Sequence, residues 1–454
     1  MFGPSLYQFN LRAQILSGAE GVLLVGADTT VLDGLLKDVF EDFIAEAVNN
    51  KFPLKDVFKT EKVPWAGGRE TIHAAHVGRS NSAMASGEDG AFAVAGAQKH
   101  VQLRIDQRKM MGRVRMTWEA MEDTTRSEAA FRSGKKDEMT RLIDDFAKRE
   151  EFYLATDGRA IFGIVSAGGT TTTVSMQNPG NITNTSFGNR FVLSGMVLAG
   201  INPATGAVRT GTPAVTATSS AGTTITVDVA PTWSTNDYVV QAANTSVTDV
   251  LDTSYEKAFW GICALVDDGT FRDNYFGVSR ASYPNYKSYV SAATGALSLD
   301  LMQRVADIVD QKLNGKIDLI VCHHSTRRLY IQLLEADRRY MGAALLKPDG
   351  ATAAFKQGDL TVGEVPIKAI RTVGLDQMFF LDTGNSGFVQ YVSEPGKWVD
   401  EDNRILVRDG VGSSARHAFE AWYFVRKQYY CRYPAYNARL DGITGQTLVV
   451  VRDE

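Results

Sequence analysis

The first regular pattern of apolar residues along the chain is helical. Between residues 28 and 50 the pattern has steps of three and one over four turns, at Leu32, Leu35, Leu36, Val39, Phe40, Phe43, Ile44 and Ala47. This spacing puts all of them on one face of an amphipathic helix, and Asp28, Thr29 or Thr30 can cap it. The apolar face packs either on the subunit's own core or on a neighbouring chain. Residues 1–27 lack a period and are predicted to form an arm.

The next stretch alternates like two strands on either side of a polar tip. The runs "ETIHAAHV" and "VQLRIDQ" bracket a segment rich in Gly, Ala and Ser. That segment cannot bury enough apolar surface to offset its ordering entropy. We therefore predict a long hairpin arm that becomes ordered on another subunit. Proteases are expected to cut residues 75–98 rapidly in free subunits and slowly in assemblies.

A long, mostly polar helix is predicted after Gly134. Its narrow apolar stripe consists of Met139, Leu142, Ile143, Phe146, Tyr153 and Leu154. The other faces are charged, and Gly158 is the predicted stop. The pattern indicates a spine that lies across a sheet and is hydrated on most sides.

Short strands separated by turns follow, from about residue 168 to 250. The runs "TTTTVSM", "TTITVDV" and "DYVVQAA" are separated by turn sequences such as "NPATG" and "SSAG". This spacing predicts a small all-β module inserted into the chain. A disordered linker is the alternative, and the β-branched content argues against it.

The last third of the chain mixes helices and strands. Ser298 is predicted to cap a helix that ends at Gly315, and Ser325 to cap a second helix after the strand "IDLIVC". The runs "VPIKAI" and "QMFFLD" predict two more buried strands, which makes an α/β unit. The run "RHAFEAWYFVRKQYYCRY" is aromatic on both alternating faces and predicts a long central strand. The predicted fold class is α+β.

Composition narrows the class of protein. A chain of 454 residues predicts two or three structural units, and its net charge of −4 excludes a polycation that coats nucleic acid. The three separated cysteines argue against a disulfide framework and indicate a reducing compartment. No signal peptide or membrane-spanning run is evident. We therefore expect a soluble, cytosolic chain.

The run "DLIVCHHSTRR" raises the question of catalysis. Cys322, His323 and His324 could form a metal site, a nucleophile with its base, or only the turn between a strand and a helix. Adjacent histidines in an extended chain point to opposite sides, and neither CxxC nor HExxH spacing occurs. We favour the structural role and predict no catalytic, cofactor-binding or metal-binding residue. An α/β enzyme that uses Cys322 is the remaining alternative.

Cations cluster beside the predicted hairpin. Six of them stand against the single acid Asp106, namely Lys99, Arg104, Arg108, Lys109, Arg113 and Arg115. Such a cluster can bind nucleic acid. It also fits a half-buried strand whose basic face meets an acidic neighbour, which is the interpretation we favour.

The order of these parts resembles that of a known family. Two projecting arms, a spine helix and an α/β unit, with little sign of an active site, resemble the major capsid proteins of tailed double-stranded DNA bacteriophages. Local similarities lie in "YEKAFWGICALVDDGTFRDNYFGVSRASYPNYKSYV", "IDLIVCHHSTRRLY", "GLDQMFFLDTG" and "HAFEAWYFVRKQYYCRYPAYNARLDGIT". Encapsulins share this shell fold, but they usually lack a long β insert.

The resemblance implies a division of the chain. It comprises 1–50 as N-terminal arm and amphipathic helix, 51–116 as extended loop, 117–165 as peripheral domain with the spine helix, 166–250 as inserted β-rich domain, 251–297 as continued peripheral domain, 298–387 as axial domain, and 388–454 as C-terminal strands of the peripheral domain. Trp65, Arg69 and the six cations are the candidate subunit-interface residues. Some relatives crosslink a lysine to an asparagine, but neither Lys62 nor Lys99 matches a motif for that reaction.

The implied function is assembly. Hexamers and pentamers of the chain would form an icosahedral phage head around double-stranded DNA, with assembly in the host cytoplasm. Portal and scaffold proteins, a possible decoration protein and non-specific contacts with packaged DNA are the implied partners, with no cofactor and no membrane. Residues 1–27 are too short for a built-in scaffold. An encapsulin-like nanocompartment is the nearest alternative, and a tail or adhesion protein would explain only the β module.

Overall fold

The structure is a computed structural model. It describes residues 54–62, 70–120 except 81 and 92, 134–338 except 169, 180, 181, 183–185, 293 and 314, and then 361–362, 365–399, 407–408 and 417–446. The predicted arm, the predicted helix over 28–50 and the candidates Trp65 and Arg69 lie outside these residues.

Helices and strands are numbered here in chain order within the described residues. The helices are α1 (Gly134–Ala155), α2 (Ile262–Leu265), α3 (Leu299–Leu313) and α4 (His324–Arg338). The strands are β1 (Lys59–Lys62), β2 (Glu70–Gly78), β3 (Lys99–Asp106), β4 (Arg108–Thr117), β5 (Ile161–Ala167), β6 (Thr173–Gln177), β7 (Leu198–Ile201), β8 (Val215–Thr218), β9 (Thr224–Val227), β10 (Tyr238–Gln241), β11 (Asn274–Tyr275), β12 (Val278–Ser279), β13 (Tyr289–Ser291), β14 (Gly295–Ala296), β15 (Leu319–Cys322), β16 (Thr361–Val362), β17 (Val365–Ala369), β18 (Met378–Leu381), β19 (Phe388–Trp398), β20 (Val407–Arg408), β21 (Ala418–Cys431), β22 (Ala438–Leu440) and β23 (Ile443–Thr444). None of the described helices is both long and apolar enough to cross a bilayer.

The longest strand, β21, lies at the centre of a five-stranded sheet. Strands β19 and β20 pair with one of its edges and β4 pairs with the other, while β1 runs parallel to β19 at the outside. The predicted long central strand is thus confirmed. Both faces of β21 are covered along its second half, where the aromatic rings of Tyr429 and Tyr430 are buried. We refer to this sheet as the long-strand sheet.

Helix α1 crosses one face of the long-strand sheet, as predicted for a spine. The Phe146 ring meets the Tyr423 ring edge-on at a centroid distance of 5.1 Å. The hydrated character applies only to the first part of the helix, where Ile143 is 40% exposed. The prediction that it is hydrated on most sides is wrong for its last turn, in which residues 150–155 are all buried because several layers of the molecule meet there.

Close approach between α1 and β4 depends on Gly112. A Cβ atom on this residue would lie 2.3 Å from Cε2 of Phe146 and 3.0 Å from Cδ1 of Leu142. Gly112→Ala is therefore expected to lower the free energy of unfolding by about 1–3 kcal/mol, the typical cost of overpacking. Denaturant unfolding followed by tryptophan fluorescence measures it. Gly87→Ala, where the new Cβ meets nothing within 4 Å, is the matched control; equal effects of both changes would contradict the contact.

The predicted β module is present as an antiparallel six-stranded sheet in the order β7-β10-β5-β6-β9-β8. It extends beyond the predicted bounds because β5, which begins at Ile161, supplies one of its inner strands. One face joins the main core of the molecule, where Phe152 of α1 lies 4.9 Å from the ring of Phe162 and 4.5 Å from that of Phe191. The insert is therefore packed into the subunit.

A second six-stranded sheet has the order β13-β22-β18-β15-β17-β16. Helices α3 and α4 cover one face through Met302, Val305, Val309 and Tyr330. The side chains of Val321 and Phe379 point to the opposite face and enter the main core. Ser298 caps α3 as predicted, since its Oγ accepts the Leu301 N–H at 3.2 Å. The seven-part domain division remains a prediction.

The cap predicted for α4 is wrong. The helix begins at His324, and the side chain of His323 occupies the cap position, where its Nδ1 accepts the Ser325 N–H at 3.2 Å. The His323 carbonyl also accepts the first intrahelical hydrogen bond, from Arg327 N at 3.0 Å. The sequence preference for serine at caps was overridden because strand β15 ends one residue before His323.

Two buried arginines join α2 to the C-terminal strands. Arg439 donates to the carbonyls of Cys263 and Val266 at 2.6 and 2.8 Å and pairs with Asp267 and Asp441 at 3.2 and 2.9 Å. Arg280 pairs with the other oxygen of Asp267 at 3.3 Å and donates to the carbonyls that end α2. Both arginines are fully buried. Charges buried this deeply are tolerated because each one is paired and hydrogen-bonded.

Candidate subunit interface

The most exposed feature of the described chain is the hairpin of β2 and β3. Its two strands pair only with each other, in register from Glu70 opposite Asp106 to Gly78 opposite Lys99. The inner face is anchored at the base by Leu103 and Ile105, which are buried in the main core. The outer face is open to solvent, and Ile72 is 54% exposed.

The tip of the hairpin, residues 79–98, lies beyond these anchors. All described residues from 82 to 91 are exposed, and Met84 and Val94 are 59% and 91% exposed. A turn closes at the end of the tip, where Gly90 N donates to the Gly87 carbonyl at 3.1 Å. Glu88 and Asp89 occupy the two central positions of that turn. The tip thus presents two carboxylates and exposed apolar side chains, and adds nothing to the buried core of its own subunit.

Strand β4 presents a basic face on the side of the long-strand sheet away from α1. Its side chains alternate, so that Lys109, Met111, Arg113 and Arg115 are exposed while Val114 is buried. The register with β21 sets Met111 opposite Phe424 and Lys109 opposite Arg426. Arg113 and Arg115 both bind the buried carboxylate of Glu420, the latter at 3.8 Å. The predicted half-buried strand with a basic face is confirmed.

Three cations surround the half-buried ring of Phe424. The Lys109 and Lys397 ammonium groups lie 5.5 and 5.2 Å from the ring centroid, and the Arg426 guanidinium carbon lies 5.9 Å from it. Each separation is within reach of a cation–π interaction. Together with the exposed Met111, these residues form what we call the Phe424 patch.

A break in the strand register brings Lys397 to this patch. The pairing of β19 with β21 shifts twice between Val392 and Lys397, which sets Lys397 opposite Phe424. Gly396, with φ +122°, occupies the bulge, and L-residues with side chains rarely adopt that conformation. No periodicity rule in the sequence would have placed Lys397 beside Lys109, so it was missed.

The remaining candidate residues lie apart from this patch. Lys99 and Arg104 are exposed on the hairpin, and Arg104 N donates to the Phe276 carbonyl at 2.9 Å. Arg108 is half-buried and pairs with Asp106 at 2.8 Å. The structure thus groups Lys109, Arg113 and Arg115 on one face and places the other described candidates elsewhere. Their role in a subunit interface remains a prediction.

A buried acidic pair holds the segment before β1 against the end of α1. Glu151 Oε1 accepts the Leu54 N–H at 3.0 Å, and Glu150 binds the buried Lys427 and accepts the Tyr429 hydroxyl. Burial raises the pKa of Glu151 to about 7 and lowers the pKa of Lys427 to about 8. The sequence signal for this cluster was a "REEFY" run at the end of an otherwise amphipathic helix.

Stability should depend on the protonation of Glu151. Because burial raises its folded-state pKa from 4.5 to about 7, the folded chain binds more protons than the unfolded chain in that window, and stability falls as pH rises through it. Glu151→Gln keeps an oxygen acceptor for Leu54. It is expected to raise the free energy of unfolding by about 1–3 kcal/mol at pH 8 and to change it little below pH 5.

Denaturant titrations of unassembled subunits at the two pH values test this expectation. Glu138→Gln, at an exposed position on the same helix, is the control and should show no such difference. A Glu151→Gln variant that is equally shifted at both pH values would contradict the assignment.

The Cys322–His323–His324 run does not form a reactive centre. Cys322 is fully buried beneath α3 and α4, and burial raises the pKa of its thiol to about 12. Burial lowers the pKa of His323 to about 3, and its Nδ1 serves as the helix cap. Among the described residues, no cluster of His, Cys, Asp and Glu has the arrangement of a metal site. This geometry fits the structural role predicted for Cys322.

Comparison with known structures identifies the fold. The cyanophage A-1(L) capsid asymmetric unit aligns with 92% of this chain and 99% of its own, at 11% identity and a TM-score of 0.51. The capsid of a native GTA particle aligns over 92% and 99% of the two chains, at 11% identity and a TM-score of 0.48. The holo-SrpI encapsulin complex of Synechococcus elongatus PCC 7942 aligns over 92% and 96%, at 9% identity and a TM-score of 0.45.

No protein-family model matches the sequence, and no curated protein sequence matches it. The likeness therefore defines the fold. This chain has the α+β major capsid fold of tailed double-stranded DNA bacteriophages.

Proposed function

We propose that this chain is a capsid shell protein, the major capsid protein of a tailed bacteriophage, which self-assembles into hexamers and pentamers around double-stranded DNA. The observation that carries the proposal is the hairpin. In a chain with the capsid fold, a 20-residue tip is held out in solvent with its apolar side chains exposed. Exposed apolar surface of this kind marks a binding surface.

The physical mechanism is symmetric self-association. Each subunit contributes modest contacts, and closed symmetry multiplies them until the shell is stable. An isolated two-stranded hairpin is marginally stable in water, so an arm seated on a neighbour gains order at the moment of contact. Portal and scaffold proteins, and a decoration protein where one exists, would bind the same shell. The packaged DNA would meet it through sequence-independent phosphate contacts.

Negative-stain electron microscopy on the size-exclusion void fraction tests the proposal. The chain is expressed alone and together with its neighbouring genes. Closed shells or capsomer rings are the expected result, and nuclease-protected DNA inside shells made with the neighbouring genes supports a phage head. Shells filled with protein cargo would point to a nanocompartment, while a monomer or small dimer under both conditions would overturn the shell function.

A further inference from the structure

We propose that the acidic tip of one subunit's hairpin docks on the Phe424 patch of a second copy of this chain. The inference rests on the proposed shell function and names the contact that joins neighbours. Its basis is a juxtaposition of complementary surfaces within one chain: two carboxylates beside exposed apolar groups, and a cluster of cations around an aromatic ring.

The charges of the tip are all of one sign. Between Ser80 and Gln98 the only ionisable side chains are Glu88 and Asp89. Both are exposed, and the Gly87–Gly90 turn holds them next to each other at the end of the hairpin. Met84 and Val94, which are 59% and 91% exposed, flank this turn along the chain. The partner surface must therefore offer cations together with apolar area.

The Phe424 patch has both properties. The ammonium groups of Lys109 and Lys397 and the guanidinium group of Arg426 lie within 6 Å of the ring centre. Met111, beside the ring in the register, is 62% exposed. A carboxylate that approaches this cluster meets several donors at once, and charge-assisted hydrogen bonds are about twice as strong as neutral ones.

The hairpin keeps its tip away from the patch of the same subunit. Lys109 lies three residues beyond the base of the hairpin, at Asp106. The paired strands alone carry the tip roughly 25 Å from that base, because a strand rises about 3.3 Å per residue. Cross-hairpin hydrogen bonds continue the outward course, from Ser80 Oγ to the Gly96 carbonyl at 3.0 Å and between His76 and Gln98 at 2.6 Å. Tip and patch therefore meet between different copies.

A contact of this type is heterologous, since each subunit gives a tip and receives one. Repeated contacts of this kind close into rings when the rotation allows. The same device would serve any ring size, because charge pairing at a mobile tip tolerates small changes of angle. It also makes association sensitive to salt, since exposed charges are screened over about 8 Å at physiological ionic strength.

Charge exchange tests the contact. The tip variant Glu88→Lys/Asp89→Lys and the patch variant Lys109→Glu/Arg426→Glu are each expected to lower the fraction of assembled protein at least about tenfold, as truncated interfacial charge pairs do. The swap variant with all four changes keeps the net charge of the natural chain and is expected to recover assembly to within about threefold. Asp307→Lys/Asp310→Lys, an equal charge change on exposed positions of α3, is the control and should assemble normally.

A thiol crosslink gives a second, independent readout. The native cysteines Cys263, Cys322 and Cys431 are all buried, so engineered surface thiols report alone. Oxidation of assembled Asp89→Cys/Lys109→Cys protein is expected to give a ladder of linked chains longer than dimers. The pair Asp89→Cys/Asp310→Cys is the control and should give no ladder.

The outcomes separate the contact from the function. Shells that form in the wild type while the swap variant fails and no ladder appears would overturn the docking and leave the shell function standing. A patch variant that assembles normally but no longer retains DNA would assign the patch to nucleic acid and likewise overturn the docking. A wild-type chain that forms no assembly overturns both.

Discussion

Replacing residues 79–98 by a two-residue Asn-Gly turn is expected to abolish shell assembly and to leave the subunit folded. The shortened hairpin keeps Gly78 opposite Lys99, and Asn-Gly suits the type I′ turn that connects two antiparallel strands. Every described residue from 82 to 91 is exposed, so its removal should change the free energy of unfolding by no more than about 0.5 kcal/mol. Assembly needs the reach of the arm, which the deletion removes.

Circular dichroism and denaturant unfolding measure the subunit, and size-exclusion chromatography with electron microscopy measures the shell. A Gly-Ser segment of the same length in place of residues 79–98 is the matched control for reach. If the control assembles, the length of the arm suffices; if it fails together with the deletion, the side chains of the tip are required. Wild-type shell yield from the deletion would contradict the proposed role of the hairpin.

Replacing Arg439 by Met is expected to unfold most of the subunit. The guanidinium group serves the carboxylates of Asp267 and Asp441 and the carbonyls of Cys263 and Val266, all buried. Removing one partner of a buried ion pair costs about 3–5 kcal/mol, because the remaining charges stay in a medium of low polarity. That is a large part of a typical stability of about 5–15 kcal/mol.

Arg432→Met is the matched control for this change. Arg432 pairs with Glu61 at 2.7 Å, but its side chain is 47% exposed, and exposed pairs contribute about 0–1 kcal/mol. Soluble yield at 37 °C and denaturant midpoints compare the two variants. Equal effects would show that the buried cluster is not a main source of stability.

Much of the fold was accessible because local patterns and tertiary packing agree. Helix α3 carries Met302, Val305 and Val309 at helical spacing, and the same residues face the second sheet. Strand β21 reads as apolar on both faces, and it is central in the structure. In such elements each residue has one favourable environment, so periodicity alone predicts where it packs.

The cap of α4 and the bounds of the β module were predicted wrongly for a different reason. A cap is decided by where the preceding strand ends, and β15 ends at Cys322, which leaves His323 at the cap position. The module takes β5 as an inner strand because Ile161 and Phe162 find buried partners on its two faces. Neither outcome depends on residues close in sequence.

The candidate interface divides along the same line. The alternation in β4 predicted a basic face, and the composition of residues 79–98 predicted an exposed tip, since both follow from local pattern and burial. Only the tertiary structure brought Lys397 and Arg426 around Phe424 and paired Arg280 and Arg439 with Asp267. Those groupings join residues that are distant along the chain, and they depend on strand register and on a bulge, which local pattern does not determine.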